Sequence, residues 1–96
     1  MIRHIVLVTM KDVSEENIRR LSDLMLSAKD NIPSVKNAYI SRDILHTPVS
    51  FDMILTVEFD SPDGLKEFIG HPYHTEHIQK RSEEYVKELR LIDIMM

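Results

Sequence analysis

The sequence predicts an α+β domain of ferredoxin-like order, βαββαβ, with a four-stranded antiparallel sheet. Three observations carry this expectation. The chain opens on an aliphatic run too short for a capped helix, and two later stretches each follow a serine with helical spacing of apolar residues. A middle segment alternates strictly at period two.

The opening run, Met1 to Met10, is read as a strand whose Ile2, His4, Val6, Val8 and Met10 share one face. Ile5 and Leu7 make the other face apolar as well, which is the pattern of a strand covered on both sides. Ser14 then serves as an N-cap ahead of Glu15 and Glu16, whose charges suit the positive end of a helix dipole. Ile18, Leu21, Met25, Ala28 and Ile32 recur at helical spacing with Leu24 beside them, and Pro33 ends the helix.

Val35 to Leu45 fits a second strand of imperfect alternation, and His46 to Ser50 a loop. Phe51 to Asp60 is the third strand, with Phe51, Met53, Leu55, Val57 and Phe59 on one face. Ser61-Pro62-Asp63 signals another helix start, with Leu65, Phe68 and Ile69 forming its apolar side and Gly70 its stop. Pro72 is expected to open a second helical segment reaching Tyr85, and Val86 to Met95 to form the last strand.

With 96 residues, 43% hydrophobic and 29% charged, residues 1–96 make one globular domain. Such a domain hides only roughly 60–65% of the surface of its unfolded chain, so further coverage would stabilise it. Two helices shield one sheet face, yet the first strand is apolar on both. A homodimer through the other sheet face is therefore expected.

The absence of cysteine excludes disulfides, thiolate metal sites and cysteine nucleophiles. The net charge is −4 and the basic residues are scattered, so no stripe exists to follow a phosphate backbone and nucleic acid is not an expected partner. No run reaches the length of a membrane span and the opening run lacks a signal-peptide pattern, so a cytoplasmic protein without a membrane partner is expected.

The start Ile2-Arg3-His4-Ile5-Val6-Leu7, the segment Ile32-Pro33-Ser34-Val35, the strand end Val57-Glu58-Phe59-Asp60-Ser61 and above all His71-Pro72-Tyr73-His74 carry a family signature. Together they resemble, nearly end to end, the stress-responsive A/B barrel domain, or Dabb, family. The resemblance implies a ferredoxin-like subunit that dimerises through its sheet into a dimeric α+β barrel, with no cofactor. It implies little about activity, since many members have no assigned role and one plant member is a cofactor-independent polyketide cyclase.

His74 is the candidate catalytic residue. The resemblance aligns it with the histidine of that cyclase, and the position near a helix start would disfavour imidazolium and leave a neutral general base. The cyclase has a tyrosine where this chain has Phe68 and a histidine where it has Met53, so the resemblance implies a more apolar pocket without the cyclase reaction. His4, Met53, Phe68 and His71 are the candidate pocket residues, although His71, ahead of proline, also suits the task of satisfying backbone groups at a helix start. His71, His74 and His77 diverge by steps of about 60° on a helix, so no metal site is expected.

Three functions follow as expectations: a dimer that binds a small hydrophobic or phenolic ligand, an enzyme of cyclase, isomerase or monooxygenase type with His74 as base, and a structural, stress-protective protein.

Overall fold

A computed structural model describes residues 1–96. The strands are β1 (Ile2–Met10), β2 (Asn37–Arg42), β3 (Met53–Phe59) and β4 (Val86–Met95), joined in one antiparallel sheet of order β2-β3-β1-β4. The helices are α1 (Glu15–Leu26), α2 (Ala28–Asn31), α3 (Pro62–Gly70) and α4 (Gln79–Ser82), with a π-helical segment over Tyr73–Ile78. The expected βαββαβ order holds throughout.

β1 alternates as anticipated. Ile2, His4, Val6, Val8 and Met10 are buried beneath the helices, while Ile5 and Leu7 on the opposite face are half-buried. Val57 and Phe59 of β3 and Leu21 and Ile32 of the helical layer are fully enclosed, and these contacts form the centre of one hydrophobic core. Ser14 and Ser61 both act as side-chain N-caps, accepting from Asn17 N–H at 3.1 Å and Gly64 N–H at 3.3 Å.

Three boundaries depart from the sequence reading, each for a local reason. The first helix divides at Ser27, whose hydroxyl donates back to the Leu24 carbonyl at 2.5 Å and competes with the helical ladder. β2 stops at Arg42 and does not reach Leu45, because the Asp43 carboxylate accepts the His46 N–H at 2.6 Å and turns the chain. Ile44 and Leu45 are left 85% and 76% exposed in the loop. The segment after Pro72 is π-helical before it becomes α-helical, with Gln79 N–H donating to the His74 carbonyl five residues back.

The open sheet face is more mixed than the sequence implied. By strand register, Ile92, Ile5, Thr56 and Tyr39 form one row and Arg90, Leu7, Ile54 and Ser41 another. The third row, Ile94, Arg3, Glu58 and Asn37, is polar at its centre. There Arg3 Nε donates to Glu58 Oε2 at 2.9 Å. No helix is long and apolar enough to cross a membrane.

A histidine-lined cavity between sheet and helices

The sheet's helix-covered face and the helical layer enclose a cavity of about 200 Å³ beside β4. Its polar end consists of His4, His74 and Asp93, and its apolar body includes Met25, Phe68, Ile78 and Leu91. Leu91 and Ile69 are 55% and 46% exposed, so the mouth opens where β4 meets the end of α3. Gln79 and Ser82 add polar groups on the helical wall.

His4 is 5% exposed and directly opposite Asp93 in the β1–β4 ladder. Its Nδ1 lies 2.5 Å from Asp93 Oδ1. A carboxylate only accepts, so Nδ1 carries the proton and Nε2 is the remaining ring nitrogen. The arrangement is a second group orienting an imidazole, the same logic by which a buried acid fixes a histidine tautomer.

His74 reaches the site from the π-helical segment. Its Nδ1 lies 3.2 Å from the carbonyl of Ile69, in the last turn of α3, where helix carbonyls lack intrahelical partners. The carbonyl must accept, so Nδ1–H donates and the lone pair is on Nε2. The wide π turn brings His74, Ile78 and Gln79 to one side, and all three line the cavity.

The His74 pKa lies below the usual histidine range. Burial is the chief cause; the Ile69 carbonyl opposes it, and nearby His4 adds a smaller lowering effect. The helix-start argument from sequence reached the same direction by a different route, since His74 stands on a short π-helical turn whose burial dominates.

Phe68 ties the two imidazoles together. Its ring centroid is 5.5 Å from that of His4 and 4.4 Å from that of His74, and Phe59 backs it at 5.3 Å. The rings are tilted against one another, by 59° for His4 and 35° for His74 relative to Phe68, so they pack edge against face into one continuous aromatic side of the cavity.

The structure brings together His4, Phe68 and His74 of the residues singled out from sequence. Met53 does not line this cavity: it pairs with the Val8 region of β1, four residues along β3 from Val57, which pairs with His4. It sits instead in a separate shallow depression with Leu7, Arg42 and Phe51. His71 also stays out of the cavity, its Nδ1 accepting the Tyr73 N–H at 3.0 Å and so satisfying a helix-start donor. His77 is turned to Tyr73, on which it stacks at 4.6 Å, and its Nδ1 accepts from Arg81 Nε at 3.1 Å. The three histidines of this stretch do not converge.

Asp93 was missed by sequence reasoning. Its signal was parity: it shares a strand face with Leu89 and Leu91, where a lone acid needs a partner.

The family model for the Stress Responsive A/B Barrel Domain matches residues 2–96. Among solved structures, At3g17210 from Arabidopsis thaliana is similar at 23% identity with a TM-score of 0.89, covering 100% of this chain and 95% of that one. A dimeric ferredoxin-like protein of unknown function from Thermobifida fusca is similar at 20% identity and TM-score 0.81, covering 99% and 90% of the two chains. A hydroxynitrile lyase from Passiflora edulis is similar at 16% identity and TM-score 0.85, covering 99% and 92%. At these identities the likeness establishes the fold. No curated protein sequence matches the chain.

Proposed function

Because the chain belongs to the stress-responsive A/B barrel domain family, we propose that it works as a cytoplasmic homodimer, joined through the open sheet faces, that binds a small hydrophobic or phenolic compound in each subunit's cavity. The observation that carries this reading is the cavity itself: an apolar chamber with an aromatic wall and a few converging polar groups at one end, the usual composition of a small-molecule site. The His74 imidazole, kept neutral by burial with its Nδ1–H on the Ile69 carbonyl, leaves Nε2 free to accept from a ligand bearing an O–H donor. Dimerisation is supported by the similar solved structures of dimeric ferredoxin-like proteins and by the apolar side chains of Ile5, Leu7, Ile54 and Ile92 on the otherwise mixed open face.

A thermal-shift panel of phenols and aromatic ketones tests the binding reading, because a ligand that prefers the folded state must raise the melting temperature. A cavity-filling Ile78→Trp variant should lose any such shift. Stabilisation that survives in the variant would place the ligand elsewhere. Light scattering after size exclusion should give a dimer mass, and Ile92→Lys on the open face should give a monomer.

A second reading is favoured by the neutral His74 and the oriented His4. His74, with its Nε2 lone pair, can take a proton from a substrate carbon or oxygen, and His4 is held in place beside it by Asp93, which supports cofactor-independent proton-transfer catalysis with His74 as general base. Mass spectrometry of β-polyketide or phenolic substrates incubated with wild type and His74→Ala separates the two. Product that forms only with His74 present establishes an enzyme; substrate bound and returned unchanged by both proteins leaves a binding protein.

A further inference from the structure

Resting on the cavity reading above, we propose that the site selects an uncharged, single-ring ligand and rejects the corresponding carboxylate. The argument is one of charge and size. No lysine or arginine lines the cavity, and its one formally charged residue is the acid Asp93. The neighbouring cations are committed elsewhere. Arg90 points to the other sheet face by strand parity and pairs with Glu88 at 2.8 Å, and Arg3 pairs with Glu58 at 2.9 Å on that same face.

Neither histidine supplies the missing positive charge. His74 is held neutral by burial, and a proton gained by His4 would be matched by the Asp93 carboxylate beside it. An anionic ligand would therefore lose its water without gaining a counter-charge and would sit near a carboxylate of like sign. A neutral phenol or ketone has no such cost, and its hydroxyl can donate to an imidazole Nε2.

Volume sets the ring count. An engineered apolar cavity of about 150 Å³ accepts benzene, so a chamber of about 200 Å³ matches one substituted ring. The tilted rings of His4, Phe68 and His74 supply aromatic faces and edges against which one ring can pack.

The experiment uses 4-hydroxyacetophenone and 4-hydroxybenzoate, near-isosteres that differ in charge, titrated calorimetrically into the whole protein at neutral pH. Wild type should bind the ketone at least about tenfold more tightly than the benzoate. Asp93→Asn, which keeps an acceptor for His4 and removes the charge, should narrow that ratio. Leu91→Arg, at the exposed mouth, should reverse it. Equal affinity in the wild type, or preference for the benzoate, overturns the charge selection while leaving the cavity as a binding site. Binding of neither compound overturns both the selection and the cavity reading.

Discussion

His4 and Asp93 face each other across the β1–β4 ladder, with the imidazole Nδ1 2.5 Å from the carboxylate Oδ1. They are the residues that join the buried side of the core to the open mouth of the cavity, because His4 is enclosed and the Asp93 side chain is 33% exposed.

Removing Asp93 should leave the His4 N–H buried without a protein partner. Asp93→Ala is expected to lower unfolding free energy by about 1–2 kcal/mol, with water at the mouth keeping the loss toward the low end. Asp93→Asn should recover most of it, since the amide oxygen still accepts. Urea denaturation of the three proteins checks this, and an asparagine variant as damaged as the alanine variant would contradict the assigned hydrogen bond.

His74 predicts an acid-sensitive fold. Its folded pKa lies below the unfolded value of about 6.5, for reasons of burial. Between those two values the unfolded chain binds more protons, so stability falls as pH drops below about 6.5 and levels off beneath the folded pKa. His74→Gln should flatten this part of the profile. Unfolding free energies at neutral pH and near pH 5 provide the comparison, and an unchanged slope in the variant would remove His74 as its source.

Phe68 is 3% exposed and touches both histidine rings and Phe59. Phe68→Ala should cost about 3–5 kcal/mol, a large part of the stability of a domain this size. Phe68→Leu should cost clearly less and keep the fold, but move the ring resonances of His4 and His74. Thermal melts and histidine-resolved NMR measure the two effects separately.

The two serine caps should be unequal. Ser14→Ala is expected to destabilise by about 1 kcal/mol and Ser61→Ala by less, because the Ser61 bond is longer and exposed. The caps lie in different helices, so the double variant should lose the sum of the two. Denaturation midpoints of the single and double variants test both statements.

Strand and helix order was legible because periodicity and caps act locally: Ser14, Ser61 and the alternation of Met53 to Phe59 each announce an element within a few residues. The strand end at Arg42 was less legible, since it depends on one Asp43 side chain turning the backbone against the pull of Ile44 and Leu45. The π turn was not legible, as the sequence of Tyr73–Ile78 offers helical residues without fixing which carbonyl each N–H will choose. For the cavity, His4, Phe68 and His74 were found, while Met53, brought in by the family resemblance, pairs with Val8 at the far end of the ladder from His4 and lines a separate depression. Asp93 needed the β1–β4 register, which joins residues 89 positions apart.

The most direct test of the proposed site is an NMR titration of the isotope-labelled protein with 4-hydroxyacetophenone. If the chamber between sheet and helices is the binding site, saturable shifts will concentrate on the side chains of His4, Phe68, His74 and Leu91. Shifts confined to Tyr39, Ile92 and the open sheet face, or none at saturating ligand, would contradict it.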